Sequence, residues 1–524
     1  MKSMFERLFV AVLFFPKLCF SQDSLYLIGT ITGISNAQRI TDVKGIGDVN
    51  GDGYDDFIVS ERTGKTNTDM GIVKLHFGSA NVDLIPDVIF HYPGKDSLND
   101  LLDGCGIGDI NNDGYNDFAL NGSFGDWGRF PKGKSFIYLG GAMIDTVPIA
   151  GFYEPWIQDA FYIYTGVGDM NKDGYDDFIA RSPYNWTNGK GYVYLFFGGD
   201  TISEERIITF TSNILGDTFG ASAANIGDMN GDGFDDLAIG APNLDSGQVY
   251  IYYGGNPMDT VPAIVLTGNY LNEGFGGIIK NAGDLNKDNM HDFFIAGGIY
   301  VNLYLKRDSI LTINGFTLGG GGYINVESNF DINHDGYDDF VIGNTNYRNS
   351  DSVMVGGAFV YFGGMNIDGN YKFKLEGENK WDEFSKIMTK ADINGDGYDE
   401  LFIMAPGYPD YNNPCGRIYI FSHKKILKGI DNNESLPINI KLQQNYPNPF
   451  NSATNISFTL STKSFVTLKI YDALGREVAT LVSQELPAGT YVRQWDAAGL
   501  ASGEYFYRLI TKNAVMQKKM ILLR

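Results

Sequence analysis

The stretch DVNGDGYDD at residues 48–56 decides the fold, because close copies of it return along the chain. The copies are DINNDGYND at 109, DMNKDGYDD at 169, DMNGDGFDD at 228, DLNKDNMHD at 284, DINHDGYDD at 331 and DINGDGYDE at 392. Their starting points lie 47 to 61 residues apart. Repetition at such a period is typical of architectures in which each copy belongs to one structural unit. The sequence therefore predicts seven similar units.

Each unit contains short alternating apolar segments separated by turn residues. The acidic stretch runs directly into an apolar segment such as DFIVS (56–60), and a second follows, such as GIVKLHFG (71–78). A third alternating segment, such as RIITFT (206–211), precedes the glycine-rich approach to the next acidic stretch. This pattern indicates four strands per unit and no helical periodicity. Four-stranded units repeated seven times predict an all-β protein with a seven-bladed β-propeller.

The segment SLYLIGTI (24–31) resembles an outer strand but lies before the first acidic stretch. We expect it to complete the last unit beside RIYIFS (417–422). Joining the first and last repeats in this way leaves no open sheet edge.

The repeats resemble the FG-GAP repeats of integrin α subunits and their bacterial relatives. Phe219–Gly220 and Gly240–Ala241–Pro242 match the family's motif closely, and Ala405–Pro406–Gly407 matches part of it. The resemblance covers roughly residues 23–423. It implies a seven-bladed propeller in which each acidic loop joins the innermost strand of a blade to the next strand outward.

The acidic loops carry oxygen ligands at alternate positions. We number each loop from position one to position nine, so that loop one has Asp48, Asn50, Asp52 and Asp56 at positions one, three, five and nine. A glycine at position six permits a tight turn, which would direct the carbonyl of Tyr54 at position seven to the same centre. Calcium accepts six to eight oxygen ligands, whereas zinc prefers nitrogen or sulfur. The pattern therefore predicts up to seven Ca²⁺ ions.

The sequence disfavours two other interpretations of these loops. An EF-hand would need a bidentate Glu at position 12, but that position is Val59, Ile239 or Ile403, inside an apolar segment. A solvated acidic turn held by Asx hydrogen bonds would leave three carboxylates per loop uncompensated. Loops five and seven depart from the pattern, with Asn289 at position six and Glu400 at position nine.

The predicted calcium ligands occupy positions one, three, five, seven and nine of all seven loops. They are Asp48, Asn50, Asp52, Tyr54 and Asp56; Asp109, Asn111, Asp113, Tyr115 and Asp117; Asp169, Asn171, Asp173, Tyr175 and Asp177; Asp228, Asn230, Asp232, Phe234 and Asp236; Asp284, Asn286, Asp288, Met290 and Asp292; Asp331, Asn333, Asp335, Tyr337 and Asp339; and Asp392, Asn394, Asp396, Tyr398 and Glu400.

Composition limits the partners and the compartment. A net charge of -23 disfavours nucleic acid and anionic membrane surfaces. Residues 1–21 have basic residues before an apolar run and small residues near Ser21, which predicts a signal peptide; a lipoprotein cysteine at Cys19 is the alternative. No other segment reaches the ~18 apolar residues that span a bilayer. The remaining cysteines, Cys105 and Cys415, are expected to be small buried residues.

The C-terminal part follows a polar linker at residues 424–437. Residues 438–524 contain short alternating segments that predict a small immunoglobulin-like β-sandwich after the propeller at residues 22–423. QNYPNPFNSATNISFTL (444–460), IYDALGREV (470–478) and SGEYFYRL (502–509) resemble the C-terminal sorting domain of type IX secretion cargo. The resemblance implies recognition by the type IX secretion machinery and release or attachment at the outer cell surface. An ordinary terminal adhesion module is the alternative.

No motif of a metalloprotease, an α/β-hydrolase or a phosphate-binding loop is present. The turns expected opposite the acidic loops carry aromatic residues, which suit a glycan or protein ligand. These are Trp127, Phe130, Trp156, Tyr184, Trp186, Tyr347, Tyr408 and Tyr411. We predict a surface binding or adhesion scaffold. The alternatives are that these aromatics cover their own blades, and that the protein is a secreted enzyme with a site at the channel mouth.

Overall fold

The chain forms two compact units, Met1–Ile426 and Leu427–Arg524, in a computed structural model. The structure describes residues 25–36, 38–63, 70–80, 82–91, 99–124, 132–152, 161–182, 189–202, 206–271, 273–305, 309–314, 323–367, 369–410, 413–423, 441–442, 445, 447–460, 464–472, 476–487, 489–511 and 515–523. No α-helix occurs within these ranges. The all-β prediction is therefore confirmed.

The described residues of the first unit form seven four-stranded antiparallel sheets. Sheet one contains β2 (Gln38–Gly47), β3 (Asp56–Thr63), β4 (Met70–His76) and β5 (Val88–His91). Sheet two contains β6 (Asn99–Gly108), β7 (Asp117–Phe124), β8 (Lys132–Tyr138) and β9 (Ala150–Phe152). Sheet three contains β10 (Tyr162–Gly168), β11 (Asp177–Ser182), β12 (Tyr192–Phe196) and β13 (Ile207–Thr211). Sheet four contains β14 (Ser222–Asn225), β15 (Leu237–Ala241), β16 (Gln248–Tyr252) and β17 (Ile264–Thr267).

The remaining sheets of this unit repeat the arrangement. Sheet five contains β18 (Ile278–Gly283), β19 (Asp292–Gly297), β20 (Tyr300–Leu305) and β21 (Ser309–Asn314). Sheet six contains β22 (Ile324–Phe330), β23 (Asp339–Asn344), β24 (Gly357–Tyr361) and β25 (Phe373–Glu376). Sheet seven contains β26 (Ile387–Ala391), β27 (Glu400–Ala405), β28 (Arg417–Ser422) and β1 (Tyr26–Thr32).

The strand that follows each acidic loop lies inside its sheet, between two hydrogen-bonded neighbours. Every residue of β15, β19, β23 and β27 is buried. A continuous apolar run suits such a strand, because both of its faces are covered. The first strands of successive sheets contact one another in order, and β26 also contacts β2. This cyclic order of four-stranded sheets is consistent with a propeller.

The N-terminal strand completes the last sheet, as predicted. β1 pairs antiparallel with β28, from Tyr26 opposite Ser422 to Thr32 opposite Arg417. Just before this strand, Leu25 is buried in the core between sheets six and seven. A segment from the start of the chain therefore holds the last repeat in place.

The second unit packs two sheets around one core. The first sheet contains β29 (Lys441–Leu442), β30 (Ala453–Leu460) and β33 (Gly489–Asp496). The second contains β31 (Ser464–Asp472), β32 (Glu477–Leu486), β34 (Gly503–Ile510) and β35 (Val515–Leu522). Ile456, Trp495, Leu468 and Tyr507 from both sheets are buried together. An immunoglobulin-like class for this unit remains a prediction.

Several predictions fall outside the described residues. These are the signal peptide at residues 1–21 and the linker at residues 424–437. The predicted domain boundaries therefore remain proposals. In the described part of the chain, no helix has the length and hydropathy needed to span a membrane. Cys105 and Cys415 are free and buried, as expected.

Candidate metal-binding loops

Loop one folds its polar side chains inward over its own backbone. Asp48 accepts hydrogen bonds from the backbone N–H groups of Gly51 and Gly53 at 2.7 and 2.8 Å. Asn50 Oδ1 accepts from the N–H of Asp52 at 2.9 Å. Asp52 Oδ1 accepts from the N–H of Tyr54 at 3.1 Å. Positions one, three and five are thereby gathered at the tip of the hairpin between β2 and β3.

The same geometry recurs in all seven loops. In each, the Oδ2 atom at position one accepts from the N–H at position six at 2.7 to 2.9 Å. The side-chain amide at position three donates to the carboxylate at position five in loops one, two, three, four and six. In loop seven Asn394 donates to Glu400 instead. The longer side chain at position nine therefore changes the bonding of that loop.

Position six requires a left-handed backbone. Its φ lies between 64° and 92° in every loop. In loop five this residue is Asn289 with φ 64°, which confirms that asparagine takes the place of glycine there. Position four is also left-handed, even where it is Lys172, Lys287 or His334. This second constraint was not recognised in the sequence.

Position nine lies beneath the loop and is fully buried. Asp56 Oδ2 accepts from the N–H of Val49 at 2.9 Å, and its Oδ1 accepts from that of Gly78 at 2.8 Å. Equivalent pairs of bonds occur at Asp117, Asp177, Asp236 and Asp339. Burial raises the pKa of Asp56 to about 7, and the nearby loop carboxylates add to the shift. This carboxyl joins the loop to the turn that follows the third strand.

The donor set of each loop consists of oxygen atoms and suits calcium. Each carboxylate or amide oxygen that accepts one hydrogen bond keeps a second lone pair for a cation. Within the described ranges, no group of three or more His, Cys, Asp and Glu side chains is placed to hold a metal ion. Position three is an amide, position seven would offer a carbonyl, and position nine faces two backbone N–H groups. The loops thus bring positions one, three and five together, and calcium binding stays a prediction.

Position eight connects neighbouring sheets, a role that the sequence analysis missed. Asp55 in loop one exchanges two bonds with Asp392 in loop seven: its N–H donates to the Asp392 carbonyl, and its carboxylate accepts from the Asp392 N–H, both at 3.0 Å. Asp176 and Asp109 form the same pair, at 3.1 and 2.9 Å. Asp338 accepts from the N–H of Asp284 at 3.0 Å. In loops one, three and six the acid at position eight therefore holds the preceding loop.

Position seven also packs across the boundary between sheets. The ring of Phe234 lies 5.1 Å from Lys172 Nζ, which is at position four of the preceding loop. Lys287 Nζ lies 4.6 Å from the ring of Tyr337 in the same way. The ring of the recurring aromatic residue therefore contacts the neighbouring loop. The predicted calcium ligand at this position is the backbone carbonyl, which is a separate role of the same residue. A lysine at position four of one loop and an aromatic residue at position seven of the next loop could have predicted this contact from the sequence.

Two of the eight predicted ligand-face aromatics, Tyr347 and Tyr408, lie within the described residues. Trp127, Phe130, Trp156, Tyr184, Trp186 and Tyr411 lie outside the described residues. Tyr347 is buried at 7% exposure, so its ring is not free to stack on a ligand. Its hydroxyl donates to Glu376 at 3.0 Å, and its ring packs edge-on against Phe359. Tyr408 lies under the guanidinium of Arg417, at 3.6 Å.

A charged cluster lies on the innermost strands, where the sequence analysis named no site. Burial raises the pKa of Asp42 on β2 to about 6, and Asp42 in turn raises the pKa of Lys44. Burial also raises the pKa of Asp103 on β6. Asp103 Oδ1 is buried and has no hydrogen-bond partner among the described residues. Glu327 on β22 forms an ion pair with Lys280 at 3.1 Å. These side chains place opposite charges along the inner wall of the sheets.

Similarity to known proteins agrees with these features. Residues 165–196, 219–252 and 388–421 match the FG-GAP repeat family, and residues 444–523 match the secretion system C-terminal sorting domain. Integrin α-5 of Xenopus laevis is 32% identical over 170 residues, which cover 30% of this chain and 15% of that protein. Human integrin α-6 is 34% identical over 143 residues, which cover 26% and 12% of the two chains.

The match thus spans about 15% of the length of the integrin α subunits. One solved structure, of the type IX secretion surface component PorZ of Porphyromonas gingivalis, covers 89% of this chain and 58% of its own, with 13% identity and a TM-score of 0.37.

The sheets and their recurring acidic turns define an all-β repeat protein with a β-propeller fold. The chain contains FG-GAP repeats that are similar to those of integrin α subunits, and it carries a type IX secretion C-terminal sorting domain. It is exported by that system and is secreted or attached to the outer cell surface.

Proposed function

We propose that the first unit is a calcium-loaded scaffold that binds a glycan or protein ligand outside the cell. One observation carries this proposal: in all seven loops the carboxylate at position one turns inward over the tip and accepts the same bond from the N–H of position six. Hydrogen bonding within a loop leaves the charge of its carboxylates uncompensated. A divalent cation at each tip would neutralise that charge.

Positions one, three, five and nine would hold the calcium ion, with the carbonyl of position seven. A bound ion would supply positive charge that attracts the carboxylates of the loop tip to one centre. The chain itself supplies further contacts, because position eight fixes loops one, three and six to their neighbours and position nine anchors the loop to the turn below. Calcium would therefore stiffen the edge of the sheets where these loops lie and leave the opposite turns for a ligand.

Metal content and melting temperature test the calcium assignment. We expect the purified full chain to contain several calcium ions per molecule, and chelation with EDTA to lower its melting temperature by several degrees. Magnesium at equal concentration should restore less of the loss than calcium, because it demands a stricter octahedral site. A metal-free protein with the same melting temperature in EDTA and calcium would contradict the proposal.

Binding to a glycan array tests the ligand assignment. We expect calcium-dependent binding without turnover, and loss of binding when Trp127 and Trp186 are changed to alanine, because aromatic side chains stack on sugar rings. Tyr347→Phe is the matched control, since its ring is buried and only its hydroxyl bonds would be lost. Unchanged binding by the Trp127→Ala, Trp186→Ala protein would rule out this face.

The charged cluster on the inner strands favours a second candidate, a secreted enzyme. Asp42 and Asp103 are recessed carboxyl groups on neighbouring strands, and burial raises the pKa of each. A carboxyl whose pKa is raised towards neutral pH can act as a general acid beside an ionised partner. Hydrolysis of a panel of glycosides or esters that is lost in both Asp42→Asn and Asp103→Asn, with unchanged melting temperatures, would favour this candidate.

A further inference from the structure

Loop three forms an ion pair with an arginine side chain from outside the loop. Arg206 lies just before β13, and its Nη2 atom donates to Asp173 Oδ2 at position five of the loop. The same oxygen accepts from Asn171 Nδ2 at 3.2 Å. The side chains of Arg206 and Asp173 are 37% and 25% exposed, so the ion pair sits at the solvent edge of the loop.

Loops one and two lack this arrangement. The equivalent oxygens, Asp52 Oδ2 and Asp113 Oδ2, accept the amide of position three at 3.1 and 3.0 Å, and neither residue has an ion pair within the described part of the chain. Near loop one the segment before the outermost strand carries Asp87, whose carboxylate accepts from the N–H of Phe77 at 2.9 Å. Loop one therefore has an acidic side chain beside it where loop three has a basic one.

A cavity of about 270 Å³ adjoins the ion pair. Asn171, Asp173 and Arg206 form its polar wall, and Phe197, Ile208 and Met258 form its apolar wall. The guanidinium group therefore has room to move away from Asp173 without displacing a strand. The aliphatic part of the arginine side chain can remain against the apolar wall when the charged end moves.

We infer that Arg206 is an internal competitor for calcium at loop three, an inference that rests on the proposed calcium binding. An arginine side chain stays positively charged at physiological pH and repels a divalent cation at the same carboxylate. Calcium must therefore break the Arg206–Asp173 pair before it can use Asp173. Loop three consequently binds calcium more weakly than loops one and two, and the ion pair stabilises this loop when calcium is absent.

Calcium titration of the full chain after chelator treatment tests the competition. The variants are Arg206→Gln, Asp173→Asn and the double variant. Asp173→Asn removes a ligand of loop three. The calcium binding of loop three is therefore the difference in binding between wild type and Asp173→Asn, or between Arg206→Gln and the double variant. We expect Arg206→Gln to tighten loop three by about three- to tenfold, as loss of a half-exposed ion pair predicts. Arg348→Gln is the control for net charge, because Arg348 donates to the Ser352 carbonyl instead of an acidic loop.

Thermal melting gives a readout that is independent of affinity. In EDTA we expect Arg206→Gln to melt below wild type, because the apo loop loses its ion pair; in excess calcium the difference should vanish or reverse. Arg348→Gln should match wild type in both conditions. If wild type binds calcium and Arg206→Gln binds it no more tightly, or if the gain persists with Asp173→Asn, the inference is overturned and the proposed function stands. If no variant binds calcium, both are overturned.

Discussion

Single residues in this protein are constrained mainly by backbone conformation and burial. Position six of each loop needs a left-handed backbone, which glycine and asparagine adopt at low cost. Position nine needs an acid that reaches two backbone N–H groups from a buried site. His76 on β4 is buried against Phe57, with ring centroids 4.7 Å apart. Each of these requirements predicts a different outcome when the residue is changed.

Replacing Gly114 in loop two isolates the backbone requirement. Its φ is 91°, and an added Cβ would meet no atom within 4 Å. We therefore expect Gly114→Ala to cost about 1 to 2 kcal/mol of unfolding free energy through backbone strain alone. Gly114→Asn should cost clearly less, since Asn289 occupies this position in loop five. Chemical denaturation measures both, and equal losses for the two variants would contradict this account.

His76 predicts a pH dependence of stability. Burial lowers the pKa of His76 to about 4, and neither ring nitrogen has a hydrogen-bond partner among the described residues. The unfolded chain binds a proton near pH 6.5 while the folded protein does not, so stability falls as the pH drops from 6.5 towards 4. Between pH 7 and pH 5, wild type should lose about 2 kcal/mol more than His76→Phe. Parallel losses in the two proteins would show that His76 does not contribute.

At the scale of elements, the loops hold adjacent sheets together in addition to closing hairpins. Each loop joins the first and second strands of its own sheet, and in loops one, three and six the acid at position eight reaches the loop before it. The same contact closes the cycle, because Asp55 on sheet one meets Asp392 on sheet seven. Neighbouring sheets are thus linked by backbone hydrogen bonds as well as by their apolar cores.

Removing the Asp55 carboxylate tests this link. Asp55→Ala leaves the Asp392 N–H without its acceptor, which should cost about 1 to 3 kcal/mol. Asp55→Asn keeps an acceptor oxygen, and Asn116 already occupies position eight in loop two. We therefore expect Asp55→Asn to retain most of the stability. Hydrogen exchange at the Asp392 amide measures the local effect, and equal protection in Asp55→Ala and wild type would contradict the link.

At the scale of the whole molecule, the first unit depends on a strand from its own N terminus. β1 supplies the fourth strand of sheet seven, and without it β28 would become an exposed edge. The second unit has its own core.

Deletion of residues 22–32 tests the importance of β1. We expect a melting temperature at least several degrees lower and a tendency to aggregate, because the deletion exposes the apolar strand β28. A peptide of residues 22–34 added in trans should restore part of the stability by pairing with β28. A scrambled peptide of the same composition is the control. An unchanged melt of the truncated protein would show that β1 does not hold the last sheet.

The sequence alone determined the repeat, the four-stranded unit, the pairing of the N-terminal strand with residues 417–422, and the sorting domain. These follow from local signals: alternation, turn residues and motifs that survive in every copy. Tertiary structure alone decided the roles of Asp55 and Asp176, the burial of Tyr347 and the pairing of Arg206 with Asp173. Such contacts join residues of different sheets, or of distant strands in one sheet. A repeating sequence pattern specifies the structure of each unit, but it does not specify which residues of other units or strands its side chains contact.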